Sequence, residues 1–199
     1  FINTGVYDIE NRPFYKTITP SMDILVSSNL ERLLFDLSGY DGGKIARLMG
    51  DLSGKKRYEI DDAMKAGMQA RYWAGCVDEA GVRAEIAKTW SEDHYLMDTH
   101  TAVASAVLRA YQRETGDMRR SVIVSTASPY KFGASVLGAI AGQEACAGLD
   151  DFACCRALAE KTDTKEPEQI RVLPTLPVRH TAVCEKDGMA QAVLDAVKK

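Results

Sequence analysis

The sequence predicts an α/β protein with helices laid on a mostly parallel sheet. The first observation is a β-branched run, Val122-Ile123-Val124, of the kind a buried strand carries. Small polar residues follow it, then Pro129, which suits the first turn of a helix, and Phe132, Val136, Leu137 and Ile140 recur at helical spacing behind. The second is an apolar stretch over 72–77 that again leads into a helical pattern, over 78–90. The third is a set of capped helical patterns that account for much of the remainder. A strand feeding a helix through a short hydroxyl-rich turn puts Ser125 and Thr126 at the carboxyl end of the strand. Open α/β sheets hold their ligands there. A plain, well-capped strand-to-helix junction has the same pattern, so the turn alone does not choose between the two.

Taken in order, residues 1–27 show no helical period. They open on a turn-forming Asn3-Thr4-Gly5 and pass through Pro13, Thr17, Thr19, Pro20 and Ser21, which reads as a long extended lead-in. Ser28 and Glu31 then form a capping-box pattern ahead of Leu30, Leu33, Leu34 and Leu37, and Gly39 is placed to end that helix. A helix N-terminus presents free N–H groups and partial positive charge. With Ser28, Asn29 and Arg32 in the first turn, this one is a candidate phosphate seat, a guanidinium being able to bind phosphate through two parallel hydrogen bonds.

From Asp41 to Gly67 the pattern is helix, turn, helix. Ile45, Leu48, Met49 and Leu52 share a face, Gly54 and basic residues break it, and Ala63, Met64 and Met68 resume it. Gly42-Gly43-Lys44 lacks the spacing and terminal hydroxyl of a phosphate loop and is read as the start of a helix. The Met64 and Met68 pair is read as core filler. In the 78–90 helix, Val82, Ile86 and Trp90 are expected to face inward.

Asp98 is a fitting N-cap for a helix running to about Glu114 and closed by Gly116, with Val103, Ala106, Val107 and Ala110 along one side. His100 is of the residue type best suited to acid–base work near neutral pH, but beside a helix start it is expected to pack as a wall residue. Ser128 caps the helix after the turn. A helix over 150–161 with Phe152, Cys155 and Leu158 inward follows, then a proline-punctuated surface connection over 162–177, and a short edge strand and closing helix over 178–199.

Composition narrows the function. The chain has 199 residues, 46% hydrophobic and 27% charged, with a net charge of −3. Its short basic runs lack interleaved aromatics, which argues against nucleic acid as a partner. No apolar run reaches the length that crosses a bilayer, so no membrane partner is expected. Five cysteines without a C-x-x-C pair fit neither a disulfide framework nor a zinc site, and a reducing cytoplasm suits them. Adjacent Cys154 and Cys155 are either redox-active or simply small residues on one helical turn. The chain opens on Phe1 rather than methionine and is expected to be part of a longer protein.

Four stretches resemble the threonine synthase family, in family order. Ser-Thr-Ala-Ser-Pro-Tyr-Lys-Phe (125–132) resembles its Thr-Ala-(Ser/His)-Pro-x-Lys-Phe signature. Asn-Thr-Gly-Val-Tyr-Asp (3–8) with Thr-Ile-Thr-Pro-Ser-Met-Asp-Ile (17–24) is similar to the stretch that leads back towards that family's active site. Ser27-Ser28-Asn29-Leu30-Glu31-Arg32 resembles its Ser-Asn-x-x-Arg element. Asp98-Thr99-His100-Thr101-Ala102 resembles Asp-Pro-His-Thr-Ala, with Thr99 where proline is usual.

The resemblance implies the C-terminal portion of the large domain of a fold-type II pyridoxal-phosphate (PLP) enzyme, of the tryptophan-synthase-β type. The complete enzyme would be a PLP-dependent carbon–oxygen lyase acting on phosphate. It would convert O-phospho-L-homoserine and water to L-threonine and phosphate by β,γ-elimination and replacement, in threonine biosynthesis. Thr126, with Ser125, would face the cofactor's pyridine nitrogen. Ser28, Asn29 and Arg32 would hold the substrate phosphate, with Glu31 required to turn away, and Asp98 and His100 would line the wall.

The family's Schiff-base lysine sits in a Ser-Phe-Lys-Asp-like motif, and no lysine here has that context. Lys131 is close to Thr126 in sequence, but it is expected to leave the turn along the helix surface. No catalytic residue is therefore assigned to this chain. The chain alone is expected to be inactive and not to hold PLP, its partner being the N-terminal part of the same enzyme. Two other readings stay open: a threonine synthase-like phospho-lyase, and a non-catalytic α/β module that binds a partner.

Overall fold

The computed structural model describes residues 1–198. Residues Phe1 to Glu166 make one compact unit, and those from Pro167 onward make a second.

The first unit begins with a correction to the lead-in. Residues Val6–Asp8 form a strand (β1) that pairs antiparallel with Arg57–Glu59 (β2), Tyr7 standing opposite Tyr58. The stacked rings of that pair lie 5.3 Å apart, and Phe1 meets both edge-on. Gly5, at φ +75°, takes the left-handed conformation that the turn demands, and its carbonyl accepts the Ile60 N–H. A three-residue strand whose central residue, Tyr7, pairs with distant Tyr58 leaves little period to read. The same holds for β2, which the sequence presents as part of a turn.

Helix α1 (Ser28–Leu37) is followed by Gly39 at φ +71°, the expected stop. Its start differs from expectation: Ser27 is the N-cap, Ser28 is the first helical residue, and no side chain closes a capping box. Helix α2 (Gly42–Lys55) starts where Asp41 accepts the Lys44 N–H at 2.8 Å, so Gly42-Gly43-Lys44 is a helix start. It runs through Gly54 and ends at Lys56 in the left-handed region. Helix α3 (Asp62–Gln69) is capped by Asp61, which accepts from Met64 N–H. These elements enclose Leu34, Ile45, Leu52, Tyr58, Ile60, Met64 and Met68. Full burial of one such side chain is worth about 1.5–3 kcal/mol, more than a capping bond, so α1 is held by its apolar face despite its bare start.

Four further helices complete the unit: α4 (Glu79–Asp93), α5 (Thr99–Thr115), α6 (Gly133–Ala141) and α7 (Asp151–Thr162). Helix α4 packs on α5 and α6, and α6 packs on α7. Val82 and Ile86 are buried as expected, and Trp90 is half-buried. On α5 the buried face is Thr99, Thr101, Ala102 and Ser105 rather than the apolar side through Val103 and Val107. Two buried carboxylates take polar partners from that face: Glu85 of α4 from Ser105, and Asp98 from Thr101. At Gly133 a Cβ would come within 2.5 Å of Cys155 Sγ, so the absent side chain lets α6 and α7 approach.

The segments 72–77 and 121–124 are not strands, and the sheet among the described residues has two strands. A strand exists only against a ladder partner, and no described segment is paired with either one. Val122 stands 88% exposed and Val124 73%. In the second unit, α8 (Glu168–Val172) and a short 3₁₀ turn occupy part of the predicted surface connection. The expected edge strand over 178–184 is exposed and has no regular secondary structure, and the closing helix forms as α9 (Met189–Val197).

Candidate functional site

The first turn of α5 gathers three of the sequence motifs. Asp98 is fully buried, and its Oδ1 accepts the His100 N–H at 2.8 Å and the Thr101 N–H at 3.3 Å. Its Oδ2 accepts the Thr101 hydroxyl. Asp98 is thus the predicted N-cap, and it exceeds a simple cap in the number of donors it satisfies.

His100 joins this turn to two others. Its Nε2 accepts the backbone N–H of Ser21 at 3.2 Å, and its Nδ1 lies 3.3 Å from Asp98 Oδ1. A nitrogen that accepts carries no proton, so the neutral ring keeps its proton on Nδ1, facing the carboxylate. The Phe132 ring lies 4.8 Å from it, tilted by 52°. His100 is thus packed and bonded on three sides.

The segment around Ser21 is itself braced. Asp23 accepts both the N–H and the hydroxyl of Thr17, at 2.8 and 2.7 Å. Those bonds, the backbone one foremost, hold the Asp23 carboxyl below its ordinary range, with a smaller contribution from His100. The Ile18 N–H reaches Glu79 Oε1 at 3.0 Å, which ties the segment to the start of α4.

The third motif, the 125–132 turn, meets the same helix start. Thr101 Oγ1 lies 3.3 Å from Ser125 Oγ. Ser128 caps the 3₁₀ turn Pro129–Phe132 by accepting the Tyr130 N–H. Tyr130 is buried, its hydroxyl 2.5 Å from Thr164 Oγ1 and its carbonyl accepting the Cys155 thiol at 3.1 Å. Thr126, between these anchored residues, is exposed, and its hydroxyl makes no hydrogen bond among the described residues. A turn fixed on both sides with one free hydroxyl is suited to meeting a ligand.

Beside Ser125 opens a cavity of about 430 Å³, lined in part by Thr101, Ser105, Arg109, Ile123 and Gln112. Arg109 reaches it from α5 with its Nε donating to Glu85 at 2.7 Å, a bond that raises the guanidinium pKa. Ser105 donates to the same oxygen at 2.6 Å. Thr101, Ser105, Arg109 and Glu85 were not among the sequence candidates. Ser105 and Arg109 share a face at i, i+4, but nothing in the sequence pairs them with a glutamate 20 residues earlier.

Ser28, Asn29 and Arg32 are exposed at the start of α1, and their groove is a different one. It has a volume of about 600 Å³, and Ser28, Arg32, Phe35 and Ile45 are among the residues that line it. Arg32 makes no ion pair among the described residues. The start of α1 is anchored by Tyr7, whose hydroxyl accepts the Ser27 N–H and donates to the Leu25 carbonyl. Lys131 has its Nζ 5.5 Å from the Phe132 ring centroid, and among the described residues no lysine lines the cavity beside Ser125.

Comparison with known proteins places these features in a family context. No family model matches the chain. It is 35% identical to human threonine synthase-like 1 over 140 residues, which is 70% of this chain and 18% of that protein. It is 31% identical to the threonine synthase of Pseudomonas aeruginosa over 143 residues, 72% of this chain and 30% of the relative. Among solved structures, PLP-bound threonine synthase from Brucella melitensis superposes with a TM-score of 0.59 at 31% identity, covering 69% of this chain and 29% of that one. Yeast threonine synthase superposes over the whole chain with a TM-score of 0.70 at 24% identity, covering 39% of its own length, a likeness of fold. The chain therefore spans about a fifth to a third of the curated relatives it matches. These neighbours support the α/β class, of which the described residues form a helix-rich part.

Proposed function

We propose that this chain, which matches threonine synthases over about 70% of its length, forms one wall of the active site of a PLP-dependent enzyme acting on O-phospho-L-homoserine. The observation that carries the proposal is the convergence of three motif stretches on the first turn of α5, with the Thr126 hydroxyl left exposed beside them.

The residues present fit one part of the cofactor. Thr126 offers an unengaged hydroxyl at the height of Ser125, able to donate to a ring nitrogen or accept from it. A neutral hydroxyl there stabilises a ring cation less than a carboxylate would. When bound, PLP supplies an electron sink for charge that develops beside the substrate's amino group. This chain's share is to hold and orient. Ser125 and Thr126 would face the ring, while His100 ties the 17–24 stretch to the helix start and Asp98 holds His100 and Thr101 there beside the 125–132 turn. At the start of α1, the uncapped N–H groups with Ser28, Asn29 and Arg32 would receive the substrate phosphate. The exposed Glu31 side chain is free to turn from that phosphate. The covalent anchor and the proton-moving lysine would come from the N-terminal part of the same enzyme, in the cytoplasm.

The test is to incubate the full-length protein that contains this chain with O-phospho-L-homoserine and PLP. Phosphate and threonine released in equal amounts support the proposal. Phosphate with ammonia and no threonine would move the assignment to a phospho-lyase, a reading favoured by the match to threonine synthase-like 1. Neither product would leave a non-catalytic binding module.

A further inference from the structure

We infer that Tyr130 is a positioning residue: its buried phenol ties the turn that carries Thr126 to the end of α7, and so sets where the Thr126 hydroxyl stands. The inference rests on the proposed meeting of Thr126 with the cofactor ring. On one side the turn is held where Ser125 Oγ accepts from Thr101 at 3.3 Å. On the other, Tyr130 is bonded at its N–H, its carbonyl and its hydroxyl, to Ser128, Cys155 and Thr164. The Thr126 hydroxyl makes no hydrogen bond among the described residues, so these flanking anchors determine its place.

The direction of the phenol bond follows from a count of hydrogens. Thr162 Oγ1 lies 2.7 Å from the Leu158 carbonyl, which can only accept, so the single Thr162 hydroxyl hydrogen goes there. The 2.7 Å contact between Thr162 and Thr164 is then made by the Thr164 hydrogen. Thr164 has only lone pairs left for Tyr130, and the phenol donates. Asp163, at φ +50°, turns the backbone so that Thr164 comes back over the end of α7, its N–H on the Ala159 carbonyl at 3.2 Å. Tyr130 is 5% exposed and Thr162 6%, so water competes little for this run of bonds.

The experiment uses the full-length protein that contains this chain. PLP affinity, the absorbance maximum of the bound cofactor and thermal unfolding without PLP are measured for Tyr130→Phe, Thr164→Val, Thr164→Ser and Thr162→Val. Tyr130→Phe, which keeps the ring, is expected to weaken PLP binding about tenfold, the scale of one hydrogen bond, and to move the absorbance band. Thr164→Val strands the phenol hydrogen and should do the same, while Thr164→Ser, which keeps the acceptor, should behave as wild type. Thr162→Val removes a hydroxyl from the same run but leaves Tyr130 and Thr164 bonded. It should lower the melting temperature and keep affinity and absorbance. Should Tyr130→Phe fail to fold, the two Thr164 variants carry the test.

A Tyr130→Phe protein with wild-type affinity and absorbance would overturn the inference, whatever its melting temperature. An equal loss of affinity in Thr162→Val would overturn it too, since the effect would then track stability alone. If Thr126→Val moves both readouts while the Tyr130 and Thr164 variants move neither, Tyr130 has lost its role and the reading of the turn stands. If Thr126→Val also leaves both unchanged, the reading of the turn fails, and the inference fails with it.

Discussion

The imidazole of His100 accepts the backbone N–H of Ser21 across 79 residues of sequence. Through this contact a helix start and a distant loop keep one arrangement, and Asp98 supports the ring from the other side. The first expected outcome follows from it. His100→Ala should speed hydrogen exchange at the Ser21 amide at least tenfold and cost about 1 kcal/mol of stability, the net worth of one such bond. A Ser21 amide that exchanges as in the wild type would show that the loop holds itself, through the Thr17–Asp23 bonds.

Gly133 and Cys155 are in close approach. Adding a methyl group at 133 drives it to within 2.5 Å of the Cys155 sulfur and 3.3 Å of the α7 backbone. Gly133→Ala should therefore destabilise the first unit by about 1–3 kcal/mol in chemical denaturation, the usual cost of overpacking. Pairing it with Cys155→Ala, which removes the nearer obstacle, should recover part of that loss.

Burial pushes the Cys155 thiol up to about 11 from an ordinary value of 9.0. A raised folded-state value means that the folded protein binds this proton more tightly than the unfolded chain. The stability it contributes is complete below pH 9 and is lost as pH rises towards 11. Thermal melts across that window should show a decline that Cys155→Ala reduces. At neutral pH, a thiol reagent should label exposed Cys76 and Cys184 first and reach buried Cys154 and Cys155 only on unfolding.

Arg32 stands exposed in the first turn of α1, beside Ser28 in an open groove. In the full-length enzyme, Arg32→Ala should raise KM for O-phospho-L-homoserine about 10- to 100-fold while PLP affinity stays unchanged. That is the scale of one or two charge-assisted hydrogen bonds. An unchanged KM would remove the α1 start from the substrate site.

What the sequence made legible was local. Helix starts at Asp41, Asp78, Asp98 and Asp150 were readable because an aspartate side chain satisfies a free N–H three residues on, a contact needing no distant partner. The motif stretches around Asp98 and Thr126 were legible through resemblance.

Most of the misses involve a partner remote in sequence. Segments 72–77 and 121–124 carry strand-forming residues, yet strand identity belongs to a ladder, and the described residues provide none. The inward face of α5 was misread because Glu85, on another helix, changes what that face must contain. Thr101 escaped notice because its significance depends on Ser125 lying across from it. The α1 capping box failed by one position, since Ser27 takes the cap and Ser28 enters the helix.

The most direct measurement is a PLP titration of the full-length protein, comparing wild type with Thr126→Val at matched stability. If the 126 hydroxyl meets the cofactor ring, the variant should bind PLP about tenfold more weakly, with a displaced absorbance maximum. Equal affinity and an identical absorbance spectrum in the two proteins would contradict the assignment of this turn to the cofactor.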